Sequence, residues 1–346
     1  MPVHNFRRPL GRLVEVEIQS AALERNLLGD PTRRVVAVYL PPGYGTDPAH
    51  RYPLFVDLVG FTGSGLAHLN WKAFGESVPQ RLDRLVGEGR MGPVVAAFPD
   101  CFTSLGGNQY IDSAATGRWA SFLVDEMLPR LEGEFHLLPG REHRAVFGKS
   151  SGGYGSIVHG LRRADAWGAV ACHSGDMAFD LCYRPQLPST TRFLATHGGV
   201  AGFLEALAAA PKATDEWLHH LEMLAMAASY DPDPAALKGI RLPVDPETAE
   251  MEEARWAAWK AHDPVFLVQQ EWCRDNLRSL RGLYLDCGSN DQYHLVHGVR
   301  AFVRSLRAAG IPHRYEEFDD DHTNVDYRMD VSLPFLYEAL MGPAGR

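Results

Sequence analysis

Cysteine is scarce in this 346-residue chain and no pair of cysteines stands close together. Cys101, Cys172, Cys182, Cys273 and Cys287 are odd in number, widely spaced and form no C-x-x-C, which points to free thiols in a reducing compartment rather than a disulfide framework. No run of eighteen apolar residues occurs, so no segment reads as a membrane span. A Lys/Arg cluster with interleaved aromatics is missing too. With a formal charge of −9 spread along the chain, neither nucleic acid nor an anionic membrane is an expected partner. Arg7 and Arg8 lie near the N-terminus with no apolar run behind them, so the expectation is no signal or transit peptide and a cytoplasmic location. Internal repeats and low-complexity tracts are also absent. What is present is 45% apolar residues, enough for a substantial core, in a length that suits one large α/β domain or two ordinary ones. Oligomeric state is left open, a homo-oligomer included.

The hydrophobic pattern predicts a half-exposed edge strand over 13–18, a second strand over 34–40, and continuous apolar strands over 52–59, 94–98, 143–147, 169–172 and 283–287, with a last one over 313–318. Helical spacing occupies 78–87, 119–131, 151–161, 295–309 and 331–341. Strands alternating with helices in this way indicate a mostly parallel central sheet with helices on both faces. Between Asp176 and Arg278 the alternation stops, and Ala, Leu, Trp and Glu recur at helical spacing. That span reads as a cap-like helical insertion, before the acid-bearing strand, on a single domain covering 1–346. Asp245 and Pro246 are expected to cap and begin its helix through Trp256.

One stretch organises the chain chemically. Gly148, Ser150 and Gly152 fill a G-x-S-x-G between a strand and a helix, the turn that holds a serine hydroxyl clear of its neighbours for nucleophilic attack. Ser151 does not fit the pattern, because Lys149 lies two residues before it. In an open α/β sheet the chemistry gathers at the carboxyl ends of strands. Asp291 follows the strand 283–287, and His322 follows the strand 313–318, so the order is Ser, Asp, His, as in an α/β-hydrolase triad. In that arrangement His322 takes the Ser150 proton and Asp291 orients the imidazole. The oxyanion needs two backbone N–H donors. Ser151 supplies one and Phe61, in the loop after the strand ending at Val59, the other.

Blander readings stand beside these. Asp176 follows the preceding strand and is the alternative acid, whereas Asp286, inside its strand, reads as structural. His294, His297 and His313 compete with His322, but the first two fall on a helix and the third on a strand. His294 and His297 at i,i+3 lack a third ligand or a Cys pair, so no metal is expected. Lys149 beside the nucleophile either favours an anionic substrate or points to solvent. Trp217, Trp256, Trp259 and Trp272 either line an acyl pocket or pack helices.

The motifs from Tyr39-Leu40-Pro41-Pro42-Gly43-Tyr44 through Gly148–Gly155 to Gly288-Ser289-Asn290-Asp291-Gln292-Tyr293 and Asp321-His322 resemble the putative-esterase branch of the α/β-hydrolases. That branch includes S-formylglutathione hydrolases (esterase D), enterochelin-esterase-like proteins and mycolyltransferases. Pro99-Asp100, Gly106 to Tyr110 and Gly117-Arg118-Trp119 are similar to the loop and helix start that several members place beside the serine. The resemblance implies hydrolysis of a small to medium carboxylic ester or thioester through an acyl-enzyme, with no cofactor and a small-molecule ester as the partner. It makes Asn108, Gln109, Tyr110, Trp119 and His173 candidates for the substrate pocket, although Asn108, Gln109 and Tyr110 could equally satisfy the backbone of a long loop. An acyltransferase using the same triad and a catalytically silent binding protein are the alternatives. The chain departs from the family in Gly60-Phe61-Thr62, where many members have a His before the Gly, and in the length of the 176–278 insertion.

Overall fold

The structure is a computed structural model and describes residues 4–342. Ten strands form: β1 (Arg12–Gln19), β2 (Arg33–Leu40), β3 (Leu54–Leu58), β4 (Val95–Pro99), β5 (Asp112–Ser113), β6 (Gly117–Arg118), β7 (Arg144–Lys149), β8 (Ala169–His173), β9 (Gly282–Gly288) and β10 (Arg314–Phe318). Eight of them make one sheet in the order β1-β2-β4-β3-β7-β8-β9-β10, and β5 and β6 form a two-residue hairpin apart from it. β1, β2 and β4 pair antiparallel, and every pairing from β4 to β10 is parallel. The sequence pattern has a direct physical counterpart here. β3, β4, β8 and β9 are buried at every position, as strands covered on both faces must be, while edge strand β1 alternates.

Alternate residues of each strand enter two separate cores. Val56, Val146, Val170 and Leu285 face the helices Ser151–Arg162 and Leu295–Ala308, with Phe122 to Leu131 on the same side. Phe55, Phe147, Ala171 and Tyr284 face the helices Val78–Gly87 and Met329–Met341. The first of these begins with a capping box, in which Ser77 Oγ accepts from the Gln80 N–H and Gln80 Oε1 accepts from the Ser77 N–H. The expected helix over 119–131 runs from Trp119 to Glu134 but widens to a π-turn over Phe122–Met127. Pro129, just beyond, has no N–H to return to the helix, which is a recognised cause of such local widening.

Helices occupy the span between β8 and β9, among them Leu187–Thr196, Gly199–Ala209, Asp215–Tyr230, Glu253–Lys260 and Glu271–Arg278. The expected cap at Asp245 is corrected. Asp245 Oδ1 accepts from the N–H groups of Glu247 and Thr248 and so closes a tight turn, across which Val244 and Met251 pair, and the helix starts only at Glu253. An aspartate followed by proline serves a turn as well as a cap, since both need a local acceptor for free N–H groups.

The chain leaves β3 toward β4 on one side and leaves β7 toward β8 on the other. Neighbouring parallel strands whose connections diverge open a crevice at their carboxyl ends. β3 and β7 are that pair, and the turns that follow them carry Gly60 and Ser150.

Candidate active site

Ser150 occupies φ 57°, ψ −125°, a conformation a side-chain-bearing residue adopts only under constraint. The constraint is visible on every side. The Ser150 N–H donates to the His173 carbonyl at 3.0 Å, and the Ser150 carbonyl accepts from Tyr154 at 2.8 Å. At Gly152 any Cβ would collide with the Leu58 carbonyl, so only glycine lets the helix start this close to β3. A Cβ on Gly60 would lie 3.9 Å from Ser150 Oγ, which puts the loop after β3 directly against the serine hydroxyl.

That loop is pinned. Tyr110 OH donates to the Val59 carbonyl at 2.6 Å, the Thr62 N–H donates to the Gly106 carbonyl at 2.8 Å, and the Phe61 ring lies against Gly106 and Gly107. Among the described residues no backbone carbonyl takes up the Phe61 N–H. Ser151 is the first residue of its helix, where no intrahelical acceptor exists. Among the described residues, therefore, the N–H groups of Phe61, one residue past Gly60, and of Ser151, next to Ser150, have no backbone acceptor, and the second stands at the positive end of a helix dipole.

Beyond β9 and β10, two and three strands further along the sheet, Asp291 Oδ2 and His322 Nδ1 lie 2.8 Å apart. Asp291 Oδ1 accepts from the Tyr293 N–H at 2.9 Å, and the His322 N–H donates to Gln292 Oε1 at 3.0 Å. The turn 319–322 crosses the end of β9 where a Cβ on Gly288 would strike the Asp320 and Asp321 carbonyls. The Tyr293 ring stands edge-on to the imidazole at 4.9 Å. Asp291 and His322 are thus brought together. Among the described residues no hydrogen bond joins His322 to Ser150 Oγ, and both belong to turns at the same edge of the sheet.

Asp176, the alternative acid, has other partners. Its Oδ2 lies 2.9 Å from Gln109 Nε2, 2.8 Å from Tyr183 OH and 3.5 Å from Ser151 Oγ. Burial pushes its carboxyl upward, against the hydrogen bonds from Gln109 and Tyr183. Gln109 Nε2 is also 2.9 Å from Tyr230 OH, so a buried polar cluster joins the long loop after β4 to the helix Asp215–Tyr230.

The other pocket candidates turn inward. Asn108 gives its amide to the Cys101 carbonyl and accepts from the Tyr110 N–H, so it braces the loop. Trp119 is fully buried, donates to the Thr116 carbonyl and packs on Phe122. His173 bridges Asp286, at 2.7 Å, and Ser332, at 2.8 Å, wholly inside the protein. Trp256 and Trp259 are core, whereas Trp272 is exposed. His294 stands before the first turn of its helix with φ 63°, not on the helix. Lys149 is half-buried, and burial pulls its ammonium downward against Asp326, Asp291 and Asp321. A cavity of about 1620 Å³ opens elsewhere, between the N-terminal residues 4–10 and the helix Val78–Gly87, and holds none of Ser150, Asp291 and His322.

Sequence reasoning missed the ion pair of Asp57 and His68 beneath the β3 loop, and Glu222 on the helix Asp215–Tyr230. Neither has a motif. Each is significant only through what lies across the fold.

A mostly parallel sheet with a strained serine at its switch point and an Asp–His pair after its last two strands defines an α/β-hydrolase. A family model described as "Putative esterase" matches residues 31–332, and the chain belongs to that family of ester-hydrolysing serine hydrolases. Solved structures with the same fold include a ferulic acid esterase, at 20% identity and TM-score 0.61, covering 95% of this chain and 98% of the other. An S-formylglutathione hydrolase from Agrobacterium tumefaciens is similar at 18% identity and TM-score 0.60, covering 97% and 98%. One from Staphylococcus aureus is similar at 13% identity and TM-score 0.56, covering 97% and 99%. No helix among the described residues is long and apolar enough to cross a membrane.

Proposed function

We propose that the protein is a serine carboxylesterase in which Ser150, His322 and Asp291 act as nucleophile, base and orienting acid. The observation that carries this reading is the backbone of Ser150, held at φ 57° beside two free N–H donors. A positive φ at a serine is costly, and such strain persists where a side chain must be presented in one direction. His322 Nε2 removes the hydroxyl proton as Oγ attacks the ester carbon, and the imidazolium is stabilised by Asp291 through Nδ1. The tetrahedral oxyanion lies between the N–H groups of Phe61 and Ser151. The alkoxide leaves with the proton from His322, and water, activated by the same base, releases the acid. The 176–278 segment acts as a cap over this site, supported by the contact of Tyr230 and Met226 with Gln109.

A p-nitrophenyl ester series on the wild type and on Ser150→Ala tests the reading. Ser150→Ala should lower kcat by at least about a thousandfold with an unchanged melting curve, since loss of a nucleophile removes the acyl-enzyme route. Wild-type turnover in the alanine variant would remove Ser150 from the mechanism. His322→Ala should act to a similar degree, and a serine-directed fluorophosphonate should label Ser150 in the wild type only.

A further inference from the structure

Consecutive residues hold His322, each by a different contact. Asp291 Oδ2 lies 2.8 Å from His322 Nδ1, Gln292 Oε1 accepts the His322 N–H at 3.0 Å, and the Tyr293 ring stands edge-on to the imidazole at 4.9 Å, with an interplanar angle of 82°. The turn that carries them is closed on itself. Asp291 Oδ1 accepts from the N–H groups of Tyr293 at 2.9 Å and Leu295 at 3.4 Å, and the Asp291 carbonyl accepts from the His294 N–H at 3.1 Å. His294 takes a φ of 63° before the helix Leu295–Ala308 begins. One carboxylate thus fixes the imidazole with one oxygen and the backbone of Tyr293 with the other, so the two rings keep their relative places.

Asp291 is enclosed, but Tyr293 is not. Tyr293 keeps 41% of its surface open, whereas His322 keeps 7% and Asp291 5%. Part of the Tyr293 ring therefore lies against the imidazole and the rest meets solvent at the same place. Burial, with Glu222, Asp291 and Asp215 adding, raises the phenol above its usual pKa, so the ring stays uncharged over the range in which a histidine base works.

The chemistry of the base decides which part of a substrate comes there. With Nδ1 on Asp291, Nε2 is the nitrogen that takes the serine proton and returns it to the departing oxygen. That oxygen has to come within about 3 Å of Nε2. The alcohol portion attached to it, rather than the acyl portion, is then drawn alongside whatever flanks the imidazole, and Tyr293 flanks it. An uncharged aromatic surface gains most from a flat apolar group, which buries area on both partners and adds the attraction of paired rings. A strongly hydrated alcohol would give up its water there without a hydrogen bond from the ring face.

We propose that Tyr293 is a specificity-determining residue for the alcohol side of the ester, so that the preferred substrates carry an aromatic alcohol; this rests on the esterase reading of Ser150. The test compares kcat/KM for benzyl acetate and methyl acetate, which share their acyl group, in the wild type, Tyr293→Phe and Tyr293→Ala. The intrinsic reactivities of the two esters cancel when their ratio is compared between proteins. The benzyl-to-methyl ratio should fall about fivefold in Tyr293→Ala, the value of one aromatic pair, and should be kept in Tyr293→Phe, which retains the ring. The ratio of methyl hexanoate to methyl acetate, which differ only on the acyl side, should be the same in all three proteins. An equal loss on every ester would make Tyr293 a support for His322 alone and overturn the proposal, as would an unchanged benzyl ratio or an altered acyl ratio in the alanine variant. Where Tyr293→Ala does not fold, inhibition of the wild type decides. Benzyl alcohol should inhibit methyl acetate hydrolysis at about fivefold lower concentration than n-butanol, and equal inhibition overturns the proposal. If the wild type hydrolyses none of these esters, the esterase reading fails, and Tyr293 has no alcohol to select.

Discussion

At the scale of single residues, the proposed catalytic set of Ser150, His322 and Asp291 differs from a second Ser-His-Asp set in access, not in residue type. Ser332, His173 and Asp286 are hydrogen-bonded in triad order, but all three are buried and Ser332 lies inside a helix. Ser150 is half-buried, in a strained turn, beside free N–H donors. Residue type and connectivity are thus insufficient; access and an oxyanion site separate a catalytic set from a structural one. Tyr110 illustrates the supporting role. Its hydroxyl holds the Val59 carbonyl at the root of the Phe61 loop. Tyr110→Phe should lower stability by about 1–3 kcal/mol, since a buried acceptor loses its donor, and should lower kcat more than it changes KM. Denaturant unfolding and ester kinetics measure the two effects. An unchanged kcat would show that the loop keeps its place without the hydroxyl.

Among the secondary-structure elements, the candidate site lies where the connections leaving β3 and β7 part, and one glycine sets how closely the following helix approaches β3. Gly152 lets the helix Ser151–Arg162 start against the Leu58 carbonyl, where even a methyl group would collide with backbone. Backbone cannot rotate aside as a side chain does, so Gly152→Ala must shift the helix or the strand. The expected loss is about 1–3 kcal/mol, the usual cost of overpacking, together with slower fluorophosphonate labelling of Ser150. A variant as stable and as reactive as the wild type would mean that the helix start is freer than its contacts indicate. The π-turn Phe122–Met127 and the displaced cap at Asp245 belong to the same scale. Both were invisible to periodicity because they change the chain by one residue or one turn without altering which residues are apolar.

For the whole molecule, a buried charge network ties the late strands to the C-terminal helix. Asp286 of β9 meets His173 of β8 and Arg328, and Arg328 also reaches Tyr284 and Glu316 of β10. Burial raises the Asp286 carboxyl, but the His173 and Arg328 charges overcome it and the pKa falls below the usual carboxylate value. A depressed pKa contributes stability above the unfolded value of about 4, and that stability is lost as pH falls through the folded value. Arg328→Met should therefore destabilise the protein by about 3 kcal/mol at neutral pH, because the buried carboxylate loses a partner. The midpoint of acid unfolding should also move to higher pH. A pH titration followed by circular dichroism checks both, and an unmoved acid midpoint would assign Asp286 no part in acid sensitivity.

Much of the fold and part of the site were legible in the amino-acid order alone. Continuous apolar runs marked strands buried on two faces, and Gly148, Ser150 and Gly152 marked the turn. Asp291 and His322 were marked by their places after strands, and the structure joins them at 2.8 Å. These features are local, fixed by sterics and by burial over a few neighbouring residues. Convergence was not legible. Gln109 and Tyr230 meet across 121 positions, His173 and Ser332 across 159, and no periodicity encodes either contact. Tertiary packing alone turned His173 and Trp119 into the interior and tied Asp176 to Gln109 and Tyr183. The reason is physical: a side chain's chemistry depends on what surrounds it, and in a packed interior the surroundings come mostly from distant parts of the chain.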